Sequence, residues 1–76
     1  MVYPNPVSDL LNIEMSKKAL VQVEVHDING ALVWNGVPGE VSSFTIPVKD
    51  LAVGTYSVAI RSGNERSNHR FVKLDR

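Results

Sequence analysis

Apolar and polar residues alternate along much of the chain. The alternation is clearest in residues 11–15, 21–26, 44–48 and 56–61. Successive side chains of a strand point to opposite faces of a sheet, so a period of two indicates strands with one buried and one solvated face. The sequence lacks the spacing of an amphipathic helix, and glycine and proline recur too often for long helices. The pattern therefore predicts an all-β protein.

Asn29-Gly30 separates two of the alternating segments. Both positions of this dipeptide tolerate positive φ, which makes it a strong signal for a two-residue hairpin turn. Such a turn puts Val25 opposite Trp34 and His26 opposite Val33, and directly opposed residues share a face of the sheet. The core face predicted in this way contains Val21, Val23, Val25, Leu32 and Trp34.

Gly63-Asn64 is the predicted turn of a second hairpin. This turn puts Tyr56 opposite Phe71 on the core side of the sheet, and Arg61 opposite Arg66. Two like charges in directly opposed positions are unfavourable, so a longer loop remains an alternative.

Further turn signals occur at Pro38-Gly39 and Val53-Gly54. Counting the segments between turns gives about seven short strands, which is typical of a small antiparallel β-sandwich. Residues 1–76 then form a single domain with a thin core, because a chain of this length buries only about 60% of its unfolded surface.

Composition excludes several classes of protein. The apolar fraction of 43% and the charged fraction of 21% are those of a folded domain, which excludes a disordered chain. The chain has no cysteine, so it has neither disulfides nor thiolate metal sites. Its formal net charge is zero, so it lacks the basic field that attracts nucleic acid or anionic lipid. The uncharged runs are too short to span a bilayer.

The two histidines, Ser8 and nearby aspartates are residue types found in catalytic triads and metal sites. Either kind of site requires side chains that converge within bonding distance. The predicted pairing puts His26 on the outer face, and no nucleophile lies near His69 in the sequence. Residues 27–30 resemble the start of a calcium loop, but its further oxygen ligands and final glutamate are missing. We therefore expect no enzyme activity, no metal and no cofactor.

Tyr3, Trp34 and Tyr56 could together form a sugar-stacking platform. In so small a domain, Trp34 and Tyr56 are more readily explained as core residues. A non-catalytic Ig-like or fibronectin-like module that binds glycan or protein for an attached enzyme remains the alternative function. A purely structural spacer is a third. Exposed aromatic rings in loops would favour the binding module.

Five segments in order carry a resemblance to a known family: YPNP (3–6), DLLNIEM (9–15), VQVEVHDINGALV (21–33), DLAVGTYSVAI (50–60) and RFVKL (70–74). Together they resemble the C-terminal sorting domain of the type IX secretion system of Bacteroidetes. Each segment alone is a weak signal, but the ordered set is fairly specific and covers essentially the whole chain.

The resemblance implies a fold, a function and a location. Such domains are Ig-like β-sandwiches at the end of larger secreted proteins, and Met1 is then expected to be an added start residue. The domain directs its cargo through the outer-membrane translocon and is then removed by a sortase-like protease. Its partners are protein components of the secretion machinery and the sortase. Its locations are the periplasm in transit, and then the outer membrane, cell surface or medium.

The resemblance also implies site residues. Most of the matching positions are expected to be structural, and the last strand is expected to be the part that the export machinery contacts, with Lys73 exposed. The structural positions are Pro4, Asn5, Pro6, Asp27, Asn29, Gly30, Gly54 and Tyr56. The recognition positions are Arg70, Phe71, Val72 and Lys73.

Residues 68–74 are predicted to form either an edge strand or a strand whose outward face a partner contacts directly, because polar and basic residues surround a single aromatic anchor there. An edge strand has unpaired N–H and C=O groups, with which a partner, or a second copy of the domain, pairs by strand addition. Deletion of residues 70–76 is therefore expected to trap a fused cargo in the periplasm.

Overall fold

The computed structural model describes residues 2–74, which contain five strands and no helix. The strands are β1 (Val2–Tyr3), β2 (Leu10–Asp27), β3 (Leu32–Pro47), β4 (Gly54–Ser62) and β5 (Glu65–Lys73). The predicted all-β class is confirmed, whereas the predicted sandwich of about seven strands is not, since residues 2–74 form five strands. Met1, Asp75 and Arg76 lie outside the described residues, and the expectation for Met1 falls on one of them.

Fewer strands form because β2 and β3 continue through segments that were predicted to separate shorter strands. In β2, the pairing register with β3 shifts between Glu14 and Ala19, and the strand continues on either side of this irregularity. In β3, Pro38-Gly39 forms no hairpin turn. Gly39 stays in the strand with a φ of +98°, next to a second register shift. Such bulges bend a strand without ending it.

All five strands belong to one antiparallel sheet. Strand β3 pairs with β2 along most of its length. On its other side, β2 pairs first with β1 and then with β4, and β5 follows β4. The sheet curls around the core, because β2 contains bulges that bend it and pairs with β3 on one side and with β1 and β4 on the other.

The apolar face of every long strand points into this core. A buried valine of the loop before β2 and another after β3 complete it. The buried apolar residues are Val7, Leu11, Ile13, Val21, Val23, Val25, Ile46, Val48, Tyr56, Val58, Ile60 and Phe71.

The predicted core face of the first hairpin is partly wrong. Val25 lies opposite Trp34 as expected, and Trp34 packs half-buried against the core. Leu32, however, is 49% exposed, and His26 lies opposite Leu32 instead of Val33. A register shift between Val25 and His26 is the cause, because it changes the face on which the following residues lie.

The second hairpin has the predicted two-residue turn. Tyr56 pairs with Phe71 and Arg61 pairs with Arg66, so the like-charge pair is present and no longer loop relieves it. The rings of Tyr56 and Phe71 stack with their centroids 5.5 Å apart. This regular hairpin positions the residues of the candidate site.

Candidate functional site at the edge of the last strand

The four predicted recognition residues of β5 divide into two pairs. Phe71 is fully buried and Lys73 is only 3% exposed, so neither side chain is accessible on the folded domain. Arg70 and Val72 point the opposite way and are exposed. The expectation that Lys73 projects into solvent is wrong, since it lies on the same face of the strand as Phe71.

Phe71 and Tyr56 form the part of the core on which β5 rests. Besides stacking on Phe71, Tyr56 donates a hydrogen bond from its hydroxyl to the carbonyl of Ala52, at 2.6 Å. The bond reaches back across the turn that precedes β4, as the tyrosine corner of β-sandwiches does. Tyr56 therefore packs in the core and fixes the start of the strand that pairs with β5.

Lys73 keeps its ammonium group inside the protein. Its Nζ atom donates a hydrogen bond to the carbonyl of Leu74 at 3.1 Å. In this way the aliphatic part of the side chain fills space beside the core while the charge contacts a backbone oxygen.

Asn5 forms hydrogen bonds with the outer edge of β5. Its Oδ1 atom accepts a hydrogen bond from the N–H of Val72 at 2.9 Å, and its Nδ2 atom donates one to the carbonyl of Arg70 at 3.3 Å. Its side-chain amide thereby takes the place of a backbone amide in a neighbouring strand. This accounts for the asparagine of the YPNP segment.

Val7 continues the contact that Asn5 begins. Its N–H donates to the carbonyl of Val72 at 2.9 Å, and its carbonyl accepts from the N–H of Leu74 at 2.8 Å. We call residues 5–7 the clip. Pro4 precedes Asn5 and Pro6 lies between Asn5 and Val7. Proline suits both places because it has no N–H to leave unpaired.

The outer edge of β5 therefore has two halves. The clip covers the backbone of residues 70–74, which we call the closed end. Residues 66–68 have no such cover within residues 2–74, and we call them the open end. The prediction of a free edge over 68–74 is thus wrong for its greater part. Sequence reasoning missed Val7, although a valine directly after the second proline, outside every alternating segment, was a possible signal.

The motif residues of the first hairpin form a larger turn than predicted. The Oδ1 atom of Asp27 accepts hydrogen bonds from the N–H groups of Asn29 and Ala31, both at 2.9 Å. Gly30 has a φ of +85°, which favours glycine, and donates to the carbonyl of Asp27 at 3.0 Å. The aspartate side chain stabilises the four residues between the strands, so the two-residue turn is not formed.

The three aromatic residues of the possible sugar platform do not lie together on the surface. Tyr56 is buried, and Trp34 packs against Gly36, where an added Cβ would lie 2.7 Å from the indole ring. Tyr3 is 38% exposed and donates from its hydroxyl to Oε2 of Glu14 at 2.7 Å. This hydrogen bond raises the pKa of Tyr3, with smaller contributions from burial and from the charge of Glu14.

The histidines do not form a site in the described part of the chain. The Nε2 atom of His26 lies 3.8 Å from Oε1 of Glu24, and residues 2–74 contain no group of three or more side chains arranged to hold a metal ion. None of the elements in that range is a helix of the length and apolarity needed to cross a membrane.

Comparison with known proteins gives one family. The family model described as the secretion system C-terminal sorting domain matches residues 1–74. The match includes the clip, both hairpins and all of β5. No curated protein matches the chain.

Proposed function

We propose that the chain, which belongs to the family of type IX secretion system C-terminal sorting domains, is recognised by the export machinery in its folded state. The proposed contact surface is the solvent-exposed face of β5, which we call its outer face and which carries Arg70 and Val72. The domain is a sorting signal for type IX secretion, a system of Bacteroidetes, and this function implies export through the outer membrane. The alternative of a glycan- or protein-binding module is not favoured.

The partners that follow from this function are proteins. We infer contact with components of the outer-membrane translocon during passage from the periplasm, followed by removal of the domain by a sortase-like protease. The family is not catalytic, so we infer that the domain acts only by being recognised. We also infer that its curled five-stranded sheet is a reduced form of the Ig-like sandwich.

One observation carries the proposed contact surface: successive residues at the closed end point alternately inward and outward. Phe71 and Lys73 are buried, so a partner that contacts them must first unfold the strand. Arg70 and Val72 are exposed while the clip bonds hold their backbone in place. A rigid backbone presents these two side chains at a fixed spacing, which lowers the entropic cost of binding.

Deletion of residues 70–76 is a poor test of this proposal. The deletion removes Phe71 from the core and the bonding partners of the clip, so a loss of export would follow from misfolding alone. Substitutions of exposed side chains avoid this ambiguity.

A sharper test fuses a reporter cargo to the domain and changes Arg70→Ser together with Val72→Ser. The expected result is retention of the fusion in the periplasm with an unchanged unfolding midpoint of the purified domain. The matched control, Lys49→Ser with Val37→Ser, changes one cation and one valine at exposed positions outside β5 and outside the groove lining, and should be exported normally. Normal export of the Arg70/Val72 variant would refute the proposed surface.

A further inference from the structure

The open end of β5 has unpaired backbone groups. At the closed end, the clip bonds to the carbonyls of Arg70 and Val72 and to the N–H groups of Val72 and Leu74. Even-numbered residues of β5 therefore point their backbone groups away from β4, and the period of a strand gives Arg66 and Asn68 the same orientation. Within residues 2–74 these groups have no hydrogen-bond partner, so an added strand would find both donors and acceptors there.

A groove of about 860 Å³ lies beside the open end. One part of its lining is apolar and includes Val2 of β1, Met15 of β2 and Ile60 of β4. The rest of the lining is polar and includes Lys17, Glu65 and Ser67. This volume is in the range of roughly 300–1,000 Å³ that is typical of ligand sites. The apolar part of the groove is available to one row of side chains of an added strand.

The outer face of the same hairpin carries unpaired positive charge. Arg61, Arg66 and Arg70 are exposed, and Arg61 lies directly opposite Arg66. None of the three forms an ion pair within 4 Å of a carboxylate in residues 2–74. Glu24 of the neighbouring β2 lines a small pocket together with Arg61 and Arg66, but its contact is with His26. Directly opposed like charges destabilise a sheet, and an anionic partner would relieve this repulsion.

We propose that the open end of β5 binds an extended segment of a partner protein in which acidic and apolar residues alternate. Bound as an additional strand, such a segment turns its apolar row towards the groove and its acidic row towards the arginine face. Side chains on adjacent strands lie about 5 Å apart, which brings a carboxylate next to Arg66. The occupant is a polypeptide and not a phosphate-bearing lipid, because only a polypeptide supplies N–H and C=O groups to the strand edge. The inference rests on the proposed function for its setting, a partner met during export.

The first test uses a blocked peptide in solution, Gly-Gly-Val-Glu-Val-Glu-Val-Gly-Gly, with the purified domain. The expected result is saturable binding by calorimetry that weakens as salt is added, because salt screens the charges. The NMR signals of the Arg66 and Asn68 amides should shift, while those of Val72 and Leu74 should not. A peptide with lysine in place of glutamate should bind at least about tenfold more weakly, since the charge pairs become repulsive.

Two modifications separate the backbone and charge contributions. Methylation of the peptide amides on one edge should abolish binding, while methylation of the alternate amides should leave it intact, because only one row bonds to β5. In the domain, Arg61→Ser with Arg66→Ser should weaken binding about tenfold. The control, Lys49→Ser, removes an exposed cation that lies outside the hairpin and outside the groove lining, and should have no effect.

Several results would overturn the proposal. Two of them concern the peptide: equally tight binding of the lysine peptide, or binding that neither pattern of methylation weakens. The other two point to a different occupant. They are binding to anionic phospholipid vesicles without binding to the peptide, and a concentration-dependent dimer that protects the Arg66 and Asn68 amides. The outcome is separable from the export test. Peptide binding together with normal export of the Arg70/Val72 variant would refute the proposed contact surface and leave this inference standing. Absence of peptide binding together with retention of that variant in the periplasm would refute this inference and leave the contact surface standing.

Discussion

The two ends of the outer edge of β5 belong to the same regular strand but have different surroundings. Both ends pair with β4 in one uninterrupted register. At the closed end, the clip bonds to the backbone of Arg70, Val72 and Leu74. At the open end, the backbone N–H and C=O groups of Arg66 and Asn68 that point away from β4 have no partner within residues 2–74. This end lies beside a groove.

The difference shows that a remote segment, and not the strand's own sequence, decides which part of an edge is available. An uncovered edge is a common liability of β proteins, because it pairs with other chains. Here the clip restricts that liability to a short stretch. The closed end gives the exposed side chains a rigid backbone, and the open end leaves backbone groups for a partner.

The largest effect is expected from the core beneath the closed end. Phe71→Ala should lower the free energy of unfolding by about 3–5 kcal/mol, because it removes a fully buried ring and leaves a cavity. Chemical denaturation measures the loss. Val72→Ala, next to it on the exposed face, should cost less than about 1 kcal/mol. Equal losses at the two positions would contradict the alternation of β5.

Breaking the clip should have an intermediate effect. Asn5→Ala removes both side-chain hydrogen bonds to β5 and should cost about 1–2 kcal/mol. Hydrogen exchange should show faster exchange of the Val72 amide. Asn68→Ala changes the same residue type at the open end, where the side chain has no partner within residues 2–74, and should leave exchange and stability nearly unchanged. If Asn68→Ala were the more costly of the two, the assignment of the two ends would be wrong.

A smaller effect is expected at Tyr3, which ties β1 to β2 beside the groove. The pKa of Tyr3 is raised in the folded state, so the proton binds more tightly there than in the unfolded chain. The hydrogen bond to Glu14 therefore stabilises the fold below the ordinary tyrosine pKa of 10.0, and the contribution is lost as pH rises through the raised value.

The stability difference between the protein and Tyr3→Phe measures this contribution. The difference should be small but constant from neutral pH to about pH 9, and should vanish above the raised pKa. Taking the difference removes the contribution of other groups that titrate at alkaline pH, because both proteins contain them. A gap that widened with increasing pH would contradict the sign of the effect.

The smallest effect on stability is expected at Lys73. Lys73→Met keeps the aliphatic volume and removes a buried charge together with one hydrogen bond to a carbonyl. Desolvation of the charge and the hydrogen bond oppose each other, so the free energy of unfolding should change by less than about 1 kcal/mol. Export of a fused cargo should also be retained. Loss of export with unchanged stability would show that the machinery contacts Lys73 after opening the strand.

Local patterns predicted much of the architecture. The period of two and the turn residues were sufficient for the all-β class, for the β4–β5 register and for the Val25–Trp34 pair. They gave too many strands, because a bulge and a turn have similar sequence signals at Pro38-Gly39. The larger loop after Asp27 escaped prediction because a side chain, and not the Asn-Gly dipeptide, determines its size.

The site was harder to predict than the fold. The period of two places Lys73 on the same face of β5 as the core residue Phe71. Lysine side chains are usually exposed, however, and for that reason Lys73 was predicted to be exposed. The bonds of the clip join residues that are far apart in the sequence, and no local pattern encodes them. The open end follows from the clip, so it too required the structure.

The clip also has a consequence for the order of folding. Its side-chain bonds join residues 65 and 67 positions apart, so forming them closes a loop of nearly the whole chain. Such contacts carry a large entropic cost until the intervening strands are in place. The hairpins therefore form first, and the closed end is completed only when synthesis has reached Leu74. Until then the whole edge of β5 stays unprotected and open to pairing with other chains.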